Sequence, residues 1–228
     1  MGRPRGGMTE APDAVTETAE RFARAEGRRS TYHYVRGKLR HDPCTAAIRA
    51  IGKLGHVLDL GCGRGHLAIY LIASGVAASV RGFDWDAKKI AMARRAGEGL
   101  AATFDEGDVR TTDEPAADTV LLVDVLHYLA PKEQDILLDR ALALVRPGGR
   151  LVVRDASAGF GWRSFVTLVV EWISTLIKFN LGEGVSFRDW RRDVVPRLEA
   201  RGVACSVAPC WASTPFSNVL VIATKPAV

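Results

Sequence analysis

The chain has few of the features that stabilise small secreted domains or hold structural metals. Of its 228 residues only four are cysteine, Cys44, Cys62, Cys205 and Cys210. They form no C-x-x-C pair and no zinc-like spacing, so the expectation is reduced thiols in a cytoplasmic protein with no metal site. The opening "MGRPRGGMTEAP" lacks the apolar core of a secretory signal. Its glycine and proline content predicts disorder over residues 1–13. No run of about 20 uncharged apolar residues exists to span a bilayer. Charge is not extreme either: the net charge is +5, too small by itself to name an anionic partner. Internal repeats are absent.

What is present is an alternation of apolar runs and helical stretches. "HVLDL", "SVRGFD", "ATFDEGD", "DTVLLVD" and "RLVVRDA" read as strands. Helices are expected at 14–29, 43–53, 65–74, 86–97, 131–146 and 187–201, the fifth opened by Pro131. "GVACSVAPC" and "NVLVIATK" close the chain as two strands joined by a short non-helical "WASTPFS". The expectation is an α/β, Rossmann-like, doubly wound sheet of seven strands, the last antiparallel, with helices on both faces. Residues 14–228 form one domain in this reading, with 14–53 as an N-terminal helical cap and 156–186 as an insertion or lid helix. Ligands on such sheets sit beyond the carboxyl ends of the strands. That directs attention to Gly61–Gly65, Asp84–Asp86, Asp108 and Val109, Asp124–Tyr128 and Asp155 onward.

The first strand runs into "VLDLGCGRGHL". Gly61, Gly63 and Gly65 allow a tight turn and close approach of a ligand to the backbone. A dinucleotide fingerprint would put its third glycine at position 66, where His66 stands. That spacing disfavours a nicotinamide enzyme. The D-x-G-x-G-x-G pattern from Asp59 to Gly65 resembles motif I of the class I S-adenosylmethionine-dependent methyltransferases. The resemblance spans about residues 54–155, and more loosely the two closing strands. It implies S-adenosylmethionine as cofactor, bound by Asp59, Gly61, Cys62, Gly63 and Gly65. Asp84 ends the second strand, where a carboxylate can accept from both hydroxyls of a ribose. Asp86 suits a helix N-cap. By the same resemblance Trp85 lies against the adenine, Asp108 accepts from the adenine amino group and the Val109 N–H meets the ring.

The fourth strand ends in "DVLHYLAP". Base-amine methyltransferases of this class often carry N/D-P-P-Y/F here, and this chain does not. "DVLHYL" instead resembles the "LHH" or "LHY" segment of many small-molecule methyltransferases. Asp124 is therefore expected to face the cofactor. His127, with an ordinary pKa near working pH, and Tyr128 are the catalytic candidates. A histidine satisfied by backbone at a strand end is the bland alternative.

The variable parts bear on the acceptor. Ser164, Thr167, Glu171, Ser174, Thr175 and Lys178 form one polar helical stripe, with an apolar face opposite. That helix reads as a lid over a hydrophobic acceptor, as a contact to a membrane surface through 160–181, or as an interface. Trp162, Phe165 and Trp172 are its candidate substrate residues. Within "TYHYVRGKLRHDP", Tyr34 and Arg36 are candidate substrate residues, and Lys38 a partner for the cofactor carboxylate. A looser likeness to bacterial small-molecule methyltransferases of polyketide, fatty-acid and aryl-polyene-like pathways rests on this segment, "DVLHYL" and "TPFSNVLV". It implies O-methylation of a hydrophobic small molecule, free or carrier-linked, by in-line displacement. The rivals are C-methylation of a lipid or polyketide, RNA methylation suggested by seven Lys or Arg within 21–40, and a non-catalytic S-adenosylmethionine-binding protein. Nucleic acid is not the favoured partner.

Overall fold

The computed structural model describes residues 13–167, 169, 186–212 and 214–227. Three helices come first. In α1 (Ala14–Glu26), Asp13 caps the start by accepting from the Thr16 N–H at 2.8 Å, and Gly27 at φ 67° closes the end. Asp42 plays the same part for α3 (Pro43–Ala50), with Pro43 in its first turn. Between them lies α2 (Arg29–His41), which local pattern did not mark as a separate helix. It has no side-chain N-cap and contains Gly37 together with aromatic and β-branched residues, all weak helix signals. Its stabilisation is tertiary: Thr31, Val35 and Leu39 recur every four residues and are buried.

The sheet then builds by alternation. The elements are β1 (Gly55–Leu60), α4 (His66–Ala73), β2 (Ala77–Asp84), α5 (Ala87–Ala96), β3 (Ala102–Glu106), β4 (Ala117–Val123), α6 (Pro131–Ala143) and β5 (Val145–Ala156). A 3-10 turn at Leu126–Tyr128 joins β4 to α6. A π-helical turn at Trp190–Val194 and the short α7 (Val195–Glu199) lead to β6 (Ala204–Pro209) and β7 (Asn218–Thr224). The spatial order is β3-β2-β1-β4-β5-β7-β6, and β7 alone runs against its neighbours. This is the seven-stranded, doubly wound sheet the alternation predicts.

Strand alternation divides the interior in two. Val57, Val80, Leu121 and Val152 pack with Phe22, Val35, Leu39, Ile48, Ile69 and Ile90 from α1–α5. Leu58, Leu60, Val120, Leu122 and Val153 pack with Leu137, Leu138 and Leu198 from α6 and α7. Chain order reverses between β1 and β4, so the loops leaving those two strands diverge and open a crevice at their carboxyl ends. Among the described residues no helix is long and apolar enough to cross a membrane. Most of the expected disordered segment and of the 156–186 lid helix, Trp172 included, lies outside the described residues.

Candidate active site

The glycine loop is shaped by φ angles that other residues rarely adopt. Gly61 sits at φ 86°, and a Cβ there would meet the Val125 Cγ2 at 2.3 Å. The Gly61 and Cys62 N–H groups donate to the Phe83 carbonyl at 2.8 and 2.9 Å, which pins the loop to the end of β2. The next donor, Gly63 N–H, reaches the Asp84 carboxylate at 2.9 Å. The other Asp84 oxygen accepts from Asp86 N–H at 3.0 Å. Asp84 is thus buried and oriented by both loops, while its oxygens retain lone pairs toward the crevice. Asp86 caps α5 by accepting from the Lys88 and Lys89 N–H groups.

Asp59 lies 3% exposed on β1. Burial, and then the charge of Asp84, raises its pKa to about 7. A raised carboxylate costs stability when it ionises. The penalty is absent below the unfolded value near 4, grows as pH rises, and is complete above about 7, reaching at most about 4 kcal/mol. An Asp59→Asn variant should therefore gain on the wild type in thermal unfolding between pH 4 and pH 8. A constant difference in Tm across that range would contradict this.

Farther along, Trp85 is half exposed, with the Lys89 ammonium 5.7 Å from its ring centroid. Asp108 is gripped by Arg110 at 2.8 to 3.0 Å, and those hydrogen bonds hold its carboxyl below the usual range. The Cys62 thiol is pushed up by burial and then by Asp59, so it is inert at neutral pH. His66, at the start of α4, is neutral: burial, followed by Lys38 and Arg64, lowers its pKa to about 3. Its ring packs against Phe22 at 4.4 Å and Tyr34 at 6.0 Å, fastening α1 and α2 to the loop.

The tips of β4 and β5 carry the remaining chemistry. Asp124 is the one non-glycine residue at positive φ among the described residues, at 58°. Its carboxylate pairs with Arg154, whose guanidinium also reaches Asp42 at 3.5 Å. Burial opposes the Arg154 charge, but Asp124 and Asp42 outweigh it and raise its pKa above the ordinary value. Next door, Asp155 is 2% exposed and gathers four donors. They are Leu126 N at 2.8 Å, His127 N at 3.3 Å, Ala156 N at 2.7 Å and His127 Nδ1 at 2.5 Å. An ionised carboxylate can only accept, so Nδ1 carries a proton in this contact. The Tyr128 ring lies 4.0 Å from that of His127.

One cavity of about 490 Å³ receives these groups, within the range of small-molecule sites. Asp59, Gly61, Cys62, Gly63, Asp84, Trp85, Asp108 and Val109 line one side. Asp124, His127 and Tyr128 line the other, with Tyr34 and Lys38 contributed by α2. Gly65 and Arg36 are not on its wall, and Gly65 instead packs at the Phe104 ring. Trp162 and Phe165 are 62% and 67% exposed and also lie off the wall. Residues that local pattern did not single out for the wall include Asp42, His66 and Arg154. A signal for Arg154 and Asp155 was visible: "RD" inside the apolar "RLVVRDA" places both in a strand that should be wholly buried.

The donor set suits S-adenosylmethionine. The cavity wall offers a buried carboxylate that could accept from a diol, an exposed indole that could stack on a base, and Lys38 that could meet a carboxylate. Residues 57–149 match the family described as "Methyltransferase domain". The chain is 32% identical over 136 residues to a demethylmenaquinone methyltransferase of Thermus thermophilus, covering 55% of this chain and 61% of that one. It is 29% identical over 121 residues to a Drosophila melanogaster tRNA N(3)-methylcytidine methyltransferase, covering 48% and 37%. Among solved structures, magnesium protoporphyrin IX methyltransferase of Synechocystis with bound SAH superimposes with a TM-score of 0.61 at 21% identity, over 92% of this chain and 95% of that one. The chain thus spans about three fifths or less of the length of these two curated relatives. Over residues 57–149 the chain thus matches a methyltransferase domain, and its sheet order and glycine loop are similar to those of class I S-adenosylmethionine-dependent methyltransferases.

Proposed function

We propose that the chain methylates an oxygen of a hydrophobic small molecule, with His127 as general base. The observation that carries this reading is His127, paired with the buried Asp155, on the wall of the cavity that also holds the glycine loop. When bound, S-adenosylmethionine supplies an electrophilic methyl carbon on a sulfonium, which departs as a neutral thioether. Asp84, the glycine loop and Asp108 hold the nucleoside, and Lys38 faces the carboxylate. Asp155 keeps the His127 proton on Nδ1, so Nε2 can take the proton of an acceptor hydroxyl as its oxygen attacks. Tyr128 and Phe216 offer apolar ring surface for the acceptor. Helices α1–α3 act as a cap that excludes water.

Support for a small acceptor comes from the absence of N-P-P-Y after β4 and from the small-molecule names among the relatives. One observation favours RNA instead: α2 exposes Arg29, Lys38 and Arg40, and Lys38 also lines the cavity. Both readings meet one experiment. Methyl-labelled S-adenosylmethionine is incubated with the chain and simple phenols, 1,3-dicarbonyl compounds or total tRNA. Labelled aryl methyl ethers are expected. Label on carbon alone, on tRNA alone, or on nothing while S-adenosylhomocysteine binds would reject O-methylation.

A further inference from the structure

Arg154 occupies a position that the proposed chemistry does not itself require. It lies on β5, 8% exposed, where an arginine needs a strong reason to be. Its two partners belong to different parts of the fold. Asp124 terminates β4, and Asp42 is the junction of α2 and α3. Asp42 does three things at once. Its N–H closes α2 by donating to the Lys38 carbonyl at 3.0 Å, and its carboxylate caps α3 by accepting from Cys44 N–H at 2.9 Å. The same carboxylate oxygen faces Arg154 Nη2 at 3.5 Å. On the other side, Asp124 holds a left-handed backbone conformation that is uncommon outside glycine. Two contacts to the same arginine over-determine it: Asp124 N donates to the Arg154 carbonyl at 2.9 Å, and its side chain takes the guanidinium.

We infer that Arg154 is a positioning residue for the cofactor, coupling the α2–α3 cap to the tip of β4 through the Asp42–Arg154–Asp124 bridge. The inference rests on the methyltransferase reading above. Asp42, Asp124 and Arg154 line the cavity together with Lys38 and Tyr34, so the bridge sets the spacing between the cap wall and the strand wall. Without the guanidinium two carboxylates would face each other with no intervening cation, and repulsion would part the walls. A planar fork can serve both acids at once, which a lysine ammonium does less well.

The test uses S-adenosylhomocysteine as probe, with calorimetry for affinity and amide exchange for residues 29–50. Asp42→Asn is the cleanest variant, because asparagine still caps α3 while losing the charge. Its Kd should rise about tenfold with Tm little changed. In the wild type, binding should slow exchange in α2 and α3, and in Asp42→Asn most of that protection should vanish. Arg154→Lys should bind better than Arg154→Met. Folded variants that bind within twofold of the wild type, with the same protection, would overturn the inference. A wild-type chain that fails to bind S-adenosylhomocysteine would instead overturn the functional reading beneath it.

Discussion

An Asp155→Asn variant is expected to bind S-adenosylhomocysteine like the wild type and to transfer methyl groups about 10²- to 10⁴-fold more slowly. The reason lies in the donors that Asp155 gathers. Its two oxygens accept from three backbone N–H groups and from His127 Nδ1. An amide has one acceptor oxygen and one NH₂ group. The Leu126 and His127 N–H groups share one oxygen; an amide oxygen placed there keeps both of them, and the NH₂ then faces Nδ1 and the Ala156 N–H. That turns Nδ1 into the acceptor and moves the ring proton to Nε2, where it blocks proton uptake. His127→Ala should lose a comparable factor, and the double variant should be no worse than either, because the two act as one unit. The measurement is kcat with a phenolic acceptor, read beside calorimetric affinity and a thermal melt. Turnover within threefold of wild type in a folded Asp155→Asn protein would remove the pair from the mechanism.

The second large effect falls on cofactor affinity. Asp84→Asn is expected to raise the Kd for S-adenosylhomocysteine about 100-fold, the loss of one to two charge-assisted hydrogen bonds worth about 2–3 kcal/mol. Asp84 is bound by Gly63 N–H on one oxygen and Asp86 N–H on the other. An asparagine must turn its NH₂ toward one of those donors. It therefore loosens either the glycine loop or the start of α5, and it offers the diol only one accepting oxygen. Asp86→Asn is the control. That residue caps α5, and asparagine caps nearly as well, so affinity should hold. Equal binding by Asp84→Asn and wild type would show that the diol is recognised elsewhere.

The elements that local pattern revealed share a property: their signals lie within a few residues. Val57 to Leu60 alternate between the two cores, so β1 was legible from apolar run and glycine stop alone. Asp86 reads as an N-cap because capping is a contact over two or three residues. Asp84 was legible for a related reason, since a strand end at a fixed distance from the glycine loop places its carboxylate beside Gly63. α2 was not, because its own residues are weak helix formers and its buried stripe gains its value from α1 and α4. Trp162 and Phe165 were plausible acceptor contacts by composition, yet both lie off the cavity wall. Composition marks a side chain as apolar but cannot say which surface it meets.

The succession of strands and helices, the glycine turn and the acid that ends β2 follow from periodicity, turn chemistry and spacing, all properties of neighbouring residues. The partners of His127 and Arg154 are of another kind. Asp155 lies 28 residues from His127, and Asp42 lies 112 from Arg154. Only the parallel pairing of β4 with β5, and the packing of the cap on the sheet, brings those charges together. Once they are buried, mutual neutralisation and hydrogen bonding decide which atoms hold protons. That outcome belongs to the folded interior, because an extended chain in water leaves the same groups hydrated and apart.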